Sequence, residues 1–220
     1  MGGVIVVFIC VIGAIVWGVL AGKKRRDEMT LLAEKLGLSF HHERDYNLAG
    51  RYSFLDKLDQ GSNRYAYNIL GGEYRGRSIA AFDYHYETHS TDSKGRRQTH
   101  HHHFSFFILT LEKCFPELTI TKEGFFSKIA QAVGYDDIDF ESHEFSKKFV
   151  VRSKDKKFAY DFCNARMIEY LLGHPNINIE IDQNQLAVGY DRCLKVDEVE
   201  SHLDRLVDLR ALMPNYLFED

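Results

Sequence analysis

Residues 77–111 read RSIAAFDYHYETHSTDSKGRRQTHHHHFSFFILTL, and this stretch predicts the centre of an antiparallel sheet. Aromatic side chains recur at every second position within Phe82–Tyr86, and Thr99–Leu111 repeats the alternation. A period of two is typical of strands because successive side chains point to opposite faces. The intervening segment, Thr88–Gln98, is polar and contains a glycine, so the whole stretch is predicted to form a β-hairpin.

The regions on both sides of the hairpin show similar patterns. Further strands are predicted at Arg64–Leu70, Leu118–Thr121, Glu144–Arg152, Asn176–Ile181 and Gln185–Tyr190. Apolar residues with the helical period of 3.6 predict helices at Asp27–Leu38, Lys122–Val133, Asp155–Gly173 and from Asp197 to near Pro214. Since strand follows strand through short loops, the strands are expected to pair antiparallel, in an α+β arrangement.

The chain begins with an apolar segment next to a short basic one. Val4–Ala21 is a run of eighteen residues without a charge, and a helix of that length reaches roughly 27 Å, close to the hydrocarbon thickness of a bilayer. We therefore expect a transmembrane helix, which fits the segment better than a signal peptide or a buried core helix does. Four basic residues follow it and are expected to lie at the membrane surface: Lys23, Lys24, Arg25 and Arg26.

The basic residues also predict the orientation in the membrane. Positive charge flanks the apolar segment on its C-terminal side alone. By the positive-inside rule, the N-terminus is expected outside the inner membrane and the following domain in the cytoplasm, as a single-pass protein. Four scattered cysteines without metal-site or redox spacing agree with a reducing compartment.

Small residues on one side of the apolar segment predict a partner within the membrane. Ala14, Gly18 and Gly22 recur every four positions. Small side chains let two helices approach closely in a bilayer. Besides the lipid bilayer itself, the sequence therefore predicts a membrane-protein partner or a homo-oligomer that uses these residues.

Combining these patterns gives the predicted fold class and domain organisation. The class is α+β, with an N-terminal single transmembrane helix followed by a cytoplasmic domain of antiparallel strands with three or four helices. The predicted regions are a transmembrane anchor at 1–22, a basic collar and juxtamembrane helix at 23–44, the α+β domain at 45–214 and a frayed tail at 215–220.

The charge distribution argues against nucleic acid as a partner. The chain has a formal net charge of −4. Since Lys23–Arg26 carry four positive charges and no other charge precedes Asp27, the remainder of the chain carries −8. Nucleic-acid binding depends on neutralising phosphates with basic side chains, and a body with this excess of acidic residues is poorly suited to it.

Six histidines cluster at one end of the predicted hairpin. His85 and His89 close its first strand, and the unbroken run His100–His103 opens its second. Imidazoles two apart on one strand, with one more across, can hold Zn²⁺, Ni²⁺ or Cu²⁺. The predicted ligands of such a transition-metal site are His85, His89, His100 and His102. A polar rim in which histidine is merely tolerated and a pH-sensing role remain as alternatives.

Sequence motifs of known catalytic sites are absent from the chain. It contains no Gly-x-Ser-x-Gly, no phosphate-binding glycine loop before a helix and no His-Glu-x-x-His. We therefore expect no enzyme activity and no cofactor other than the transition metal. The sequence favours a non-enzymatic cytoplasmic binding or scaffold module in a membrane complex. The alternative is a metal-binding or pH-responsive membrane-associated protein that uses the histidine cluster.

Residues 141–172 read ESHEFSKKFVVRSKDKKFAYDFCNARMIEYLL, and NINIEIDQNQLAVGY follows at 176–190. This block resembles a bacterial family of small membrane-anchored proteins of unknown function. The residues that match the family pattern are Glu144, Phe145, Phe149, Val151, Ser153, Asp155, Phe158, Ala159, Arg166, Met167, Leu171 and Leu172. The resemblance implies a helix-anchored cytoplasmic domain and no particular activity.

Overall fold

A six-stranded antiparallel sheet forms the centre of the computed structural model, which describes residues 20–122 and 137–219. The strands are β1 (Ser39–His41), β2 (Ser62–Tyr74), β3 (Arg77–Thr91), β4 (Arg97–Lys122), β5 (Phe149–Ser153) and β6 (Asn178–Gly189). Their order is β1-β2-β3-β4-β5, and β6 also pairs with β4. Because β4 is 26 residues long, it pairs with β3 and then β5 along one edge and with β6 along the other.

Helices pack on the sheet, and most of them are short. The first, α1, is described from residue 20 to residue 36. The others are α2 (Tyr46–Arg51), α3 (His143–Lys148), α4 (Lys156–Phe162), α5 (Ala165–Gly173) and α6 (Val196–Leu212), followed by a 3-10 turn at Asn215–Leu217. The four shortest are each begun by a side-chain cap, from Asp45, Ser142, Asp155 and Asn164 in that order. A cap satisfies amide groups that a short helix otherwise leaves without partners.

Alternation along β4 sorts its side chains into two hydrophobic layers. Phe107 and Leu109 lie in the larger layer, which residues of α1, α4, α5 and α6 complete. Phe106 and Ile108 lie in the smaller layer, against α2 and the loop before β2. All four side chains are at most 2% exposed. The middle of β4 is therefore buried on both faces, which explains why its sequence is almost continuously apolar.

The predicted fold class needs a correction at its N-terminal element. Within 20–122 and 137–219, none of the helices combines the length and the apolar composition that a membrane span requires. Except for its last two residues, the predicted spanning segment Val4–Ala21 lies outside the described residues. The α+β arrangement with antiparallel strands is confirmed. The fold class is corrected to one without the predicted transmembrane helix.

The predicted central hairpin is present, and its strands are longer than expected. β3 and β4 pair without interruption from Ile79↔Leu109 to Thr91↔Arg97. The predicted strands at Thr99–Leu111 and Leu118–Thr121 are parts of one strand, since β4 continues through irregular register between them. Likewise a turn is expected at residues 182–184, but β6 continues through them as one strand. Gln183 there has a φ of 52° and lies opposite the irregular register of β4.

Local structure also differs from the prediction in the segment that carries the family resemblance. The strand expected at Glu144–Arg152 begins as α3 and becomes β5 only at Phe149. The helix expected at Asp155–Gly173 is two helices that meet at Asn164. The helix expected at Lys122–Val133 lies, after its first residue, outside the described part of the chain. In the tail, the Phe218 ring packs against the Phe115 ring with centroids 5.1 Å apart.

Asn164 is expected to contribute measurably to stability because it joins three elements. Its Oδ1 accepts hydrogen bonds from the amides of Arg166 (3.1 Å) and Met167 (3.2 Å), and its Nδ2 donates to the Leu212 carbonyl (3.1 Å). Replacing it with alanine should lower the free energy of unfolding by about 1–2 kcal/mol in urea titrations. The exposed Asn47 of α2 provides the control, because its change to alanine should cost less than about 0.5 kcal/mol. Equal effects of the two changes contradict the capping role.

Candidate functional site

The register of the central hairpin divides the histidines between the two faces of the sheet. His85 pairs with His103, and Glu87 pairs with His101. Paired residues of neighbouring strands share a face, as do residues two apart on one strand. These four side chains therefore lie together with that of His89. His100 and His102 lie on the opposite face, so the predicted quartet His85, His89, His100 and His102 is split into two pairs.

A compact polar cluster forms on the face that contains His85. The imidazole of His85 is 2% exposed and stacks on the Tyr65 ring at a centroid distance of 4.4 Å. Its Nδ1 lies 3.0 Å from the Asn63 carbonyl oxygen, and its Nε2 lies 3.0 Å from Nδ1 of His101. Since a carbonyl only accepts, Nδ1 of His85 is the donor in the first of these contacts.

Glu87 completes this cluster. Nδ2 of Asn63 donates to its Oε1 at 2.6 Å, and Nδ1 of His101 lies 3.4 Å from the same oxygen. The hydrogen bond from Asn63 lowers the pKa of Glu87, and the nearby imidazoles act in the same direction. The carboxylate is therefore ionised at neutral pH and is held in place by the amide side chain.

The remaining histidines have partners of their own. Nδ1 of His103 lies 3.0 Å from the Tyr67 hydroxyl, and burial lowers the pKa of this histidine. On the opposite face, the His102 ring stacks on Tyr86 at 4.5 Å. His89, His100 and His102 lie at hydrogen-bond distance from the hydroxyls of Ser62, Thr99, Ser90 and Thr88. These contacts give the three histidines ordinary surface hydrogen bonds.

The predicted basic collar contains one residue that is not available at the surface. Arg25 forms a two-pronged ion pair with Asp83 of β3, with Nη2 2.8 Å from Oδ2, and its Nη1 donates to the Leu194 carbonyl at 2.7 Å. Asp83 also accepts hydrogen bonds from Asn68 (2.8 Å) and Ser105 (2.7 Å) and is 3% exposed. The pair thus fixes α1 to the middle of the sheet.

The other three collar residues are exposed. Lys23, Lys24 and Arg26 point outward from α1, and Lys24 makes a weak surface contact with Glu28 at 3.7 Å. Sequence reasoning grouped Arg25 with them because the partner, Asp83, lies 58 residues away. The only sequence signal for that partner was an aspartate among aromatic residues in FDYHY at 82–86, a position where charge is costly unless it is paired.

A groove of about 970 Å³ opens between α1 and the start of α6. Leu20 and Leu31 line it and are 60% and 65% exposed. Lysines and acidic residues of both helices complete the lining: Lys24, Lys35, Lys195, Glu28, Asp197 and Glu200. The groove therefore brings exposed apolar and charged groups together next to the collar.

A second buried carboxyl group, that of Glu180, lies beneath the loop before β2. It is 6% exposed and accepts hydrogen bonds from the amides of Asp56 and, at 3.4 Å, Lys57. Burial raises its pKa to about 8. The adjoining cavity, which Asn178 also lines, measures about 20 Å³ and holds at most one water molecule. The space is too small for a substrate, so Glu180 is a structural group.

Comparison with known proteins identifies a similar fold and no family. No family model and no curated protein matches the chain. Among solved structures, the chain is similar to the crystal structure of the mycobacterial trehalose monomycolate transport factor A, TtfA, with a TM-score of 0.59 and 14% identity. The similarity covers 87% of this chain and 95% of that one. At this identity it shows a shared fold.

Proposed function

We propose that this protein is a non-enzymatic binding or scaffold module that works at a membrane surface, on its cytoplasmic side. The observation that carries the proposal is the division of the basic collar. Arg25 locks α1 to Asp83 of the sheet, while Lys23, Lys24 and Arg26 stay exposed just after the charge-free sequence Val4–Ala21.

This arrangement suits contact with anionic lipid headgroups. Each lysine or arginine near an anionic membrane surface contributes about 1 kcal/mol of attraction. Because Arg25 fixes α1 to the sheet, the body of the protein is held in one orientation relative to whatever the exposed residues bind. A rigid connection of this kind is what a module needs to present its far side to a partner.

The groove beside the collar supports the same proposal. The exposed side chains of Leu20 and Leu31 offer apolar contact, and the lysines of the groove lie beside an equal number of acidic residues, with Lys35 paired to Glu200. Surface ion pairs such as Lys24–Glu28 are weak enough to exchange for a lipid phosphate. A phospholipid surface offers a partner for each: acyl chains for the leucines and phosphates for the lysines.

Two further observations agree with this role. The similar solved structure belongs to a protein named as a trehalose monomycolate transport factor, in keeping with a lipid-related, membrane-associated role. Cys114, Cys163 and Cys193 are free thiols, which a reducing compartment preserves. Pairing with a membrane protein or a second copy through Ala14, Gly18 and Gly22 remains part of the proposal, although the first two residues lie outside the described part of the chain.

Vesicle co-sedimentation of the full chain tests the proposal. We expect stronger sedimentation with phosphatidylcholine vesicles that contain phosphatidylglycerol than with phosphatidylcholine alone, and weaker sedimentation as salt is raised. Replacing Lys23, Lys24 and Arg26 together with glutamine should reduce the partition onto anionic vesicles by roughly a hundredfold, because about 3 kcal/mol of attraction is lost.

A charge-matched control separates the collar from net charge. Lys147, Lys156 and Lys157 are exposed residues of α3 and α4, and the same triple change there alters the charge equally. We expect that variant to keep most of its vesicle binding. Equal losses in both variants contradict a role for the collar, and absence of sedimentation with either kind of vesicle overturns the proposed membrane association.

A further inference from the structure

Three groups that can bind a metal ion come together in the cluster around His85. None of them is a histidine of the opposite face, where His100 and His102 lie. One ligand atom each from His85, Glu87 and His101 lie within 4.8 Å of one another. Two of the separations are short, 3.0 Å between His85 Nε2 and His101 Nδ1 and 3.4 Å between His101 Nδ1 and Glu87 Oε1. The strands that carry these groups are paired without a register shift, so their spacing is fixed by the sheet.

These separations are close to those of ligands around a small tetrahedral ion. Zinc binds imidazole nitrogen and carboxylate oxygen at about 2.0–2.2 Å, and two ligands of a tetrahedral ion then lie about 3.3–3.5 Å apart. The His101–Glu87 distance agrees with this value, and the His85–His101 distance is slightly shorter. The third separation, between His85 and Glu87, is at most 4.8 Å, so the side chains of His101 and Glu87, which lie outside the buried core, adjust when the ion binds. Two histidines and a glutamate also leave a fourth position for water.

Neighbouring groups orient two of the three ligands in the way that metal sites require. The Nδ1–H of His85 donates to the Asn63 carbonyl, so Nε2 is the nitrogen that faces His101 and is the one available to a metal ion. The side chain of Asn63 holds Glu87 at 2.6 Å. Asn63 itself has a φ of 48°, a left-handed conformation that asparagine tolerates better than most residues. Stacking on Tyr65 prevents rotation of the His85 ring.

We propose that His85, Glu87 and His101 bind one divalent transition-metal ion, with Zn²⁺ as the best match, on the face of β3 and β4 opposite to His100 and His102. His103 lies beside the site but directs Nδ1 to the Tyr67 hydroxyl. This ligand set differs from the one that the sequence predicts, because it includes a carboxylate and only one of the four predicted histidines. The inference is independent of the proposed membrane role.

Calorimetric titration of the full chain, without an affinity tag, with Zn²⁺ tests this site. We expect one Zn²⁺ bound per chain. The changes His101→Ala and Glu87→Gln should each weaken binding by at least about a hundredfold, since losing a ligand costs more than losing an outer partner, which costs 10–100-fold. Both side chains are outside the buried core, so these variants should fold, and urea unfolding curves like that of the wild type confirm it.

The matched control uses the other half of the same histidine run. His100→Ala and His102→Ala remove imidazoles that face away from the cluster, and both variants should keep the wild-type affinity and stoichiometry. Zn²⁺ should also raise the melting temperature of the wild type and of these two variants but not of His101→Ala. Failure of the wild type to bind stoichiometric Zn²⁺, or equal weakening in the His100 and His101 variants, overturns the proposal.

Discussion

Replacing Asp83 with alanine is expected to lower the free energy of unfolding by about 3 kcal/mol. The change removes the carboxylate that pairs with Arg25 and accepts from Ser105, leaving Arg25 with its hydrogen bond to the Leu194 carbonyl, and removing one partner of a buried ion pair costs about 3–5 kcal/mol. The lower end applies because the Arg25 side chain is still 25% exposed and can turn toward water. Urea unfolding measures the loss, and limited proteolysis should show earlier cleavage within α1, because its anchor to the sheet is gone.

An aspartate–arginine pair at the surface provides the control for this prediction. Asp59 pairs with Arg64, and its side chain is 57% exposed. Replacing Asp59 with alanine should cost less than about 1 kcal/mol, since exposed ion pairs contribute little. If the Asp83 variant is no less stable than the Asp59 variant, or if its α1 resists protease as well as in the wild type, the anchoring role assigned to Arg25 and Asp83 is wrong.

Glu180 should make the stability fall as the pH rises from about 4.5 to about 8. Burial raises its pKa to about 8 in the folded protein, whereas the unfolded chain has the ordinary value of 4.5. Between these values the folded state binds a proton that the unfolded state does not, so the free energy of unfolding decreases with pH by on the order of 1 kcal/mol per unit. The contribution of the protonated group is fully present below about 4.5 and is lost above about 8.

Glutamine at position 180 should remove this dependence. Its side-chain oxygen can still accept the hydrogen bond from the amide of Asp56, and it does not titrate. The Glu180→Gln variant should therefore become more stable relative to the wild type, by a few kcal/mol of unfolding free energy, as the pH rises across that range. Glu144 is exposed and has a lowered pKa, so the unfolding free energy of the Glu144→Gln variant should change with pH as that of the wild type does above pH 5. Parallel curves for Glu180→Gln contradict the prediction.

The histidine cluster shows how far a strand pattern alone can predict a site. Alternation already separates His101 and His103 from His100 and His102, because neighbours on a strand face opposite ways. It does not say which pair joins His85. That depends on the register, and a shift by one residue exchanges the two faces. The turn at 92–96 fixes the register, since the amide of Asp92 donates to the Arg96 carbonyl at 2.9 Å and its carboxylate accepts from the amides of Lys94 and Arg96.

Glu87 was missed for a related reason. A glutamate at the end of a strand is an ordinary surface residue in a sequence. Its role depends on Asn63, which comes from β2 and holds the carboxylate beside His101. The sequence contained no signal for that contact, because the two residues belong to different strands and are joined only by side-chain geometry.

From its sequence alone, this protein is an α+β protein with an antiparallel sheet built around the hairpin at 77–111, because period-two patterns and short loops are local properties of the chain. Only the tertiary structure decided that Arg25 pairs with the buried Asp83, that β4 continues through irregular register as one strand, and that His85 faces His101. Each of these features depends on residues far apart in the chain. Their interactions contribute free energy only when the sheet brings the residues together.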